Sequence, residues 1–260
     1  MKTQISNREK AVEVLNSIET GAQEPIAYIN ANSYTQHNLG AADGLAGFGA
    51  LLGQLANYPE PAKVKVVRAF EDGEYVFTHT DYNFFGPKVG YDIWRFRDGK
   101  IVEHWDNLQE TVTATASGHS MTDGATEVKD IDKTDENKKL VRSFVHDVLM
   151  GENPGRLTDY FCGNNYIQHN PGMKDGLDGL GAALAAMAEK GIKMVYNTNH
   201  LILGEGNFVL SVSEGTLGGV HTSFYDLFRV ENGKIAEHWD TIESITPVDK
   251  ALNGNGKFNF

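Results

Sequence analysis

Gly99-Lys100-Ile101-Val102-Glu103-His104-Trp105-Asp106 recurs as Gly233-Lys234-Ile235-Ala236-Glu237-His238-Trp239-Asp240. Upstream, Tyr34-Thr35-Gln36-His37-Asn38 recurs as Tyr166-Ile167-Gln168-His169-Asn170, and Asp43-Gly44-Leu45 as Asp175-Gly176-Leu177. His37 and His169 are 132 positions apart; His104 and His238 are 134 apart. Agreement in order and spacing identifies an internal duplication, and a period this long gives two domains rather than a solenoid. The predicted division is a first domain over 1–112, a linker over 113–133, a second domain over 134–247 and a loose tail over 248–260. The linker assignment rests on a run of Thr, Ser, Gly and Asp with few apolar residues.

Outward from the repeated stretch, each copy reads as helices followed by strands. Arg8 to Ile18 and Glu136 to Met150 have apolar residues at helical spacing. Ser6 or Asn7 can cap the first and Thr134 or Asp135 the second, with Gly21 and Gly151 at the stops. A short second helix is expected over Pro25–Ile29 and Pro154–Phe161, and a third from Gly44 to Asn57 and from Gly176 to Lys190. The alternating, β-branched remainder reads as four strands per copy, 63–71, 74–84, 89–97 and 100–110, then 193–203, 207–216, 221–231 and 234–244. Helices first and antiparallel strands after them predict an α+β domain. A strongly curved sheet around the helices would enclose one pocket.

The register of the last hairpin decides which side chains share that pocket, because a slip of one residue turns every side chain over. A two-residue turn at Asp98-Gly99 would group Arg95 with Val102 and His104. A three-residue loop with a bulge at Gly99 groups Asp92, Trp94, Phe96, Val102, His104, Asp106 and Leu108 instead. It leaves Tyr91, Ile93, Arg95, Arg97, Ile101, Glu103 and Trp105 on the other face. The second copy supports the bulged register, which collects Asp226, Phe228, Val230, Ala236, His238, Asp240 and Ile242. In this reading Asp92 lies across from His104 and Asp226 across from His238.

Each pocket then holds two carboxylates and an imidazole on an apolar wall. Desolvation raises a carboxylate pKa and a histidinium lowers it, a combination suited to proton transfer near neutral pH. Asp106, His104 and Asp92 are the catalytic candidates of the first copy, and Asp240, His238 and Asp226 those of the second. Tyr34, His37, His79, Trp94, Phe96, Tyr166, His169 and Phe228 are the candidates for binding a substrate. Glu103 and Glu237 alternate outward and read as surface residues. Trp105 and Trp239 face the back of the sheet, where the simplest cover is the other copy in an internal pseudo-dimer. Copy one adds His79 and Asp81 where copy two has Val212 and Glu214, which favours copy one if only one pocket is catalytic.

Composition narrows the rest. A net charge of −12 argues against nucleic-acid and anionic-membrane partners. No apolar run reaches the roughly 18 residues of a membrane span. Met1 to Lys10 shows no apolar secretory core, so a cytoplasmic location is expected. Cys162 is the only cysteine, which excludes an internal disulfide and a multi-cysteine metal site. No phosphate-binding loop or nucleophile elbow occurs. A metal set of His37, His79, His104 and Asp106 would need all four to converge, and copy two lacks one of them; no metal and no cofactor are expected.

The Tyr-x-Gln-His-Asn segment, the Asp-Gly helix start and the Gly-Lys-Ile-x-Glu-His-Trp-Asp ending resemble the SnoaL-like family of the nuclear-transport-factor-2-like (NTF2-like) superfamily. The resemblance covers both copies. It implies two tandem cone domains, each with three helices and a curved antiparallel sheet around a deep pocket. It also implies cofactor-independent cyclase, aldol or isomerase chemistry, with a pocket aspartate matching Asp106 and Asp240 as general acid or base. A second polar residue of the family's cyclases falls near Asp92 and Asp226. The implied partner is a small, apolar, carbonyl-bearing ligand. A non-catalytic carrier of such a ligand is the alternative.

Overall fold

A computed structural model describes residues 5–260. Helix α1 spans Asn7–Thr20. Ser6 caps it reciprocally with Glu9: the Ser6 hydroxyl accepts from the Glu9 amide at 3.1 Å and the Glu9 carboxylate from the Ser6 amide at 2.6 Å. Gly21, at φ +72°, ends it in the left-handed conformation that costs glycine no Cβ clash. Its inner face buries Ala11, Val14 and Leu15 completely or nearly so, about 1.5–3 kcal/mol for each of the two larger side chains. A short 3₁₀ turn follows at Glu24–Tyr28. Then come β1 (Thr35–Gln36), α2 (Gly44–Ala56), β2 (Lys63–Asp72), β3 (Tyr75–Asn83), β4 (Pro87–Arg97) and β5 (Lys100–Glu110).

The second copy repeats this order with α3 (Thr134–Phe144), α4 (Leu157–Tyr160), β6 (Ile167–Gln168), α5 (Gly176–Glu189), β7 (Met194–Glu205), β8 (Phe208–Leu217), β9 (Val220–Glu231) and β10 (Lys234–Ser244). The helix expected to run to Met150 widens after Phe144 into a π turn over Val145–Leu149. Two five-stranded sheets result, in the orders β1-β5-β4-β3-β2 and β6-β10-β9-β8-β7. The fifth strand of each is the one the alternation pattern misses. β1 and β6 are two residues long and pair in parallel with the last strand of their copy, Gln36 beside His104 and Gln168 beside His238.

The last hairpin corrects the expected register in detail. Asp98 and Gly99 (φ +51° and +71°) form a two-residue turn, and the extra residue lies instead at Val102, between the Phe96–Ile101 and Arg95–Glu103 pairs. The bulge restores the expected faces from Glu103 onward but carries Ile101 into the core, not to the back of the sheet. The second copy does the same with Asn232-Gly233 and a bulge at Ala236. Consequently Trp94 lies across from His104 and Asp92 across from Asp106; Asp92 is the diagonal neighbour of the histidine, not its direct partner. Asp226, Asp240, Phe228 and His238 are related in the same way.

Two compact units emerge, with unexpected edges. The first runs to Glu110 and takes in Ile245–Asn259; the second is Thr111–Ser244 together with Phe260. The tail expected to be loose is held on the first unit. The Leu252 amide donates to the Leu39 carbonyl at 2.9 Å, and the Asn253 side chain donates to the carbonyls of Asn38 and Ala41. The Asn255 side chain donates to the Gln36 carbonyl and to Asp43. The segment expected to be a free linker packs likewise with the second unit, where the Ala116 amide donates to the Pro171 carbonyl. Among the described residues no helix is long and apolar enough to cross a membrane.

Candidate functional site

In the first unit the parallel pairing of β1 with β5 turns Gln36 toward the inner face beside His104. The Gln36 side-chain oxygen Oε1 accepts from His104 Nδ1 at 3.0 Å and from the Asn38 amide at 2.9 Å. Its side-chain amide donates to the Tyr34 hydroxyl at 3.1 Å. His104 Nε2 lies 3.1 Å from Asp92 Oδ1, and its ring stacks on Trp94 with centroids 3.9 Å apart. The Tyr82 and Thr78 hydroxyls donate to Asp92 Oδ2 at 2.5 and 3.3 Å. Asp106 accepts from the Asn38 side chain at 2.6 Å, and Lys257 of the tail brings its ammonium to 3.8 Å. Tyr34, Trp94 and Phe96 belong to the buried core of this unit.

The second unit builds the same constellation. Gln168 accepts from His238 Nδ1 at 2.9 Å, and His238 Nε2 lies 3.1 Å from Asp226 Oδ1. Asn170 donates to Asp240 Oδ2 at 2.6 Å. Because the Gln168 oxygen also accepts from the Asn170 amide, it is an acceptor toward the imidazole, so Nδ1 carries a proton. Burial opposes charge on His238, but the Asp226 hydrogen bond and the charges of Asp240 and Asp226 outweigh it and raise its pKa above the ordinary 6.5. Burial pushes the Asp240 carboxyl from 3.8 up to about 6, with the Asp226 charge adding to the rise and His238 and Asn170 opposing it. Asp240 Oδ1 is buried without a hydrogen-bond partner.

Asp240 is one of the residues that line a cavity of about 250 Å³. Its walls are apolar, among them Phe144, Leu149, Phe161, Met194 and Phe228; the polar groups are Tyr166, Gln168, Tyr196, Asp226, His238 and Asp240. Burial, reinforced by Asp240 and Asp226, holds the Tyr166 phenol well above its ordinary pKa, and burial with the same two charges does so for Tyr196. Both are hydroxyl donors at neutral pH.

Tyr196 is a residue that sequence reading missed. In the first unit the phenol on the first carboxylate comes from β3, as Tyr82 paired with Val64. In the second it comes from β7, as Tyr196 paired with Gly215; its hydroxyl lies 3.3 and 3.4 Å from the two Asp226 oxygens. Tyrosine has changed strands within one cross-strand pair. At Gly215 the β7 backbone comes so close that a Cβ would stand 1.8 Å from the Val195 carbonyl oxygen. Only the pairing of β7 with β8 reveals the exchange.

Three binding candidates lie elsewhere. Alternation along β1 sends His37 to the back of the sheet, where it stacks on Trp105 with centroids 4.4 Å apart and donates from Nδ1 to the Gly256 carbonyl at 2.7 Å. Burial lowers its pKa. His169 stacks on Trp239 at 4.7 Å, with Nδ1 2.8 Å from the Ser120 carbonyl and Nε2 3.0 Å from Glu237. His79 stacks on Tyr91, and Arg68 Nη1 lies 3.0 Å from its Nδ1. The extra groups that favoured copy one therefore do not enter its pocket. Both indoles are fully buried. Within its own unit each is covered by the repeated histidine, and Trp239 also donates to the Asp123 carbonyl. Glu237, expected on the surface, is buried between His169 and Arg229; burial opposes its charge, but these two partners lower its pKa.

The metal set of His37, His79, His104 and Asp106 does not converge. The donor atoms of Asp92, His104 and Asp106, and of Asp226, His238 and Asp240, do lie within 4.8 Å of one another, close enough for a divalent cation. In both groups the imidazole Nε2 is already engaged by the first carboxylate.

Residues 13–104 match the family model described as SnoaL-like domain. No curated protein matches the chain. Among solved structures, an NTF2-like protein of unknown function from Cytophaga hutchinsonii is 20% identical over 42% of this chain and 95% of its own, with a TM-score of 0.36. TsrD from Streptomyces laurentii is 15% identical over 42% and 92%, also with 0.36. IdmH from Streptomyces antibioticus, a candidate polyketide cyclase, is 15% identical over 40% and 93%, again with 0.36.

Proposed function

From a first repeat that is a SnoaL-like domain, and a second with the same motif and strand order, we propose a cofactor-independent enzyme acting on a small, apolar carbonyl compound. The observation that carries this reading is Asp240. It is a buried carboxyl with a pKa of about 6 and one oxygen free of hydrogen bonds, at the polar end of an apolar cavity. A base poised near the working pH combines a useful ionised fraction with enough basicity to take a proton from carbon. Asn170 holds Oδ2, so Oδ1 is the oxygen that reacts. It removes the proton alpha to the carbonyl, and the electron pair left on carbon moves to the carbonyl oxygen as an enolate. Protonation at another carbon gives an isomer; attack on a second carbonyl of the same molecule gives a ring by aldol addition.

The hydrogen bonds to both ring nitrogens support a narrower role for the histidine than the sequence suggested. Both nitrogens of His238 are engaged, by Gln168 and Asp226, so it supplies positive charge near Asp240 rather than a hydrogen bond to substrate. The Tyr196 hydroxyl, only loosely held at 3.3 Å or more and lining the cavity, is the donor for the enolate oxygen. The cavity is suited to a ligand of one or two rings: at about 30 Å³ per water it holds the equivalent of roughly eight waters.

Exchange of alpha hydrogens for deuterium in small cyclic ketones, followed by NMR, tests the proposal without knowledge of the natural substrate. Wild-type protein should accelerate exchange in at least one ketone of the panel, and a chain with Asp106→Asn and Asp240→Asn should not. Equal exchange in both chains overturns the acid–base role. Ketone binding without any exchange supports the carrier reading instead.

A further inference from the structure

The two sites differ by one charge, and it is delivered by the polypeptide that follows each sheet. After β5 the chain joins the second unit; after β10 it joins the first. The two returning segments run in register. The Ala116 amide donates to the Pro171 carbonyl, two residues beyond His169, and the Leu252 amide to the Leu39 carbonyl, two beyond His37. Four residues later the Ser120 carbonyl accepts from His169 Nδ1 and the Gly256 carbonyl from His37 Nδ1. The next residues are therefore equivalent: Met121 in the second unit and Lys257 in the first. Both are buried, at 2% and 7% exposure. Lys257 reaches Asp106 at 3.8 Å.

We propose that Lys257 is a positioning residue that keeps Asp106 as an ion-paired carboxylate, and that Met121 in its place leaves proton transfer to Asp240, so the two sites of one chain do different work. This rests on the acid–base reading of Asp240. Around Asp106 stand Asp92 from β4, His104 from β5, Asn38 from the loop before α2, Tyr34, Tyr82 from β3 and Lys257 from the returning segment. Around Asp240 stand Asp226, His238, Asn170, Tyr166 and Tyr196. The two lists match group for group except for the ammonium. A positive charge at this distance favours the ionised form, whereas a thioether offers only a weak acceptor.

The experiment is an NMR titration of the full-length chain carrying ¹³C-labelled aspartate carboxyls, with Asp106→Asn and Asp240→Asn assigning the two resonances. Met121→Lys should lower the Asp240 midpoint by more than one pH unit, and Lys257→Met should restore ketone exchange to a chain carrying Asp240→Asn. Ketone exchange at pH 7 should fall at least tenfold in Met121→Lys. Should Lys257→Met fail to fold, Lys257→Gln and Met121→Lys provide the same comparison. An Asp240 midpoint that does not move with the lysine overturns the proposal. Exchange that survives Asp240→Asn while the midpoint moves as expected instead overturns the catalytic role of Asp240 and leaves the electrostatic role of Lys257 standing.

Discussion

Asp240→Asn should make the protein more stable, and by an amount that depends on pH. The carboxyl is held at about 6 against an ordinary 3.8, so between these values the folded chain binds more protons than the unfolded chain. Unfolding free energy therefore falls as pH rises through that window, and the cost of the buried charge is fully present only above it. At 1.36 kcal/mol per pKa unit, the cost is about 0.5 kcal/mol at pH 4, about 1.6 at pH 5 and about 3 at pH 7. Asparagine removes this cost, and its amide oxygen can still accept the bond from Asn170. Asp240 also helps hold the proton on His238, so about 3 kcal/mol is the ceiling of the gain. Urea unfolding at pH 4, 5, 6 and 7, comparing variant with wild type, reads the difference directly. Asp106→Asn is the internal control with opposite sign. It removes the carboxylate that faces the buried Lys257 ammonium at 3.8 Å and should lower stability at pH 7. An Asp240→Asn advantage that is the same at every pH, or a loss at pH 7, would refute the reasoning.

The other perturbations separate local causes. Tyr82→Phe deletes a 2.5 Å buried bond to Asp92 and should cost about 1–2 kcal/mol. Tyr196→Phe deletes only contacts of 3.3 and 3.4 Å and should cost less than about 0.5 kcal/mol in urea unfolding while slowing ketone exchange. Gly215→Ala forces a Cβ to within 1.8 Å of the Val195 carbonyl and should lower stability by about 3 kcal/mol, measured by calorimetry. Truncation after Lys250 removes the bonds from Leu252, Asn253 and Asn255 to the loop after β1. Amide exchange over residues 36–43 should then quicken by about tenfold or more, while residues 168–175 keep their rates.

Much of this was readable before any coordinates, for identifiable reasons. The duplication is a property of the string itself. The eight long strands follow from period-two alternation, and the glycine turns mark their ends within a few residues. Asp92, His104, Asp106 and their counterparts share a face because two residues along a strand return to the same side. The bulge was read correctly as necessary and placed at the wrong residue, since either position restores the same faces beyond Glu103.

Reading stopped where a side chain's direction depends on a distant partner. β1 and β6 are two residues long and carry no period, so nothing local says whether Gln36 or His37 faces inward. The pairing with β5, 68 residues away for Gln36 and His104, decides for glutamine. It sends the histidine to the indole of Trp105. Lys257 and Tyr196 were hidden for the same reason: one sits in a polar tail with no pattern, the other on a strand whose register only β8 defines. The sequence alone determined the repeat, the α+β order and the paired acid–histidine–acid sets, because these are encoded in spacing. The tertiary structure decided which polar groups join each set, because pairing and burial are set by contacts between residues far apart in the chain.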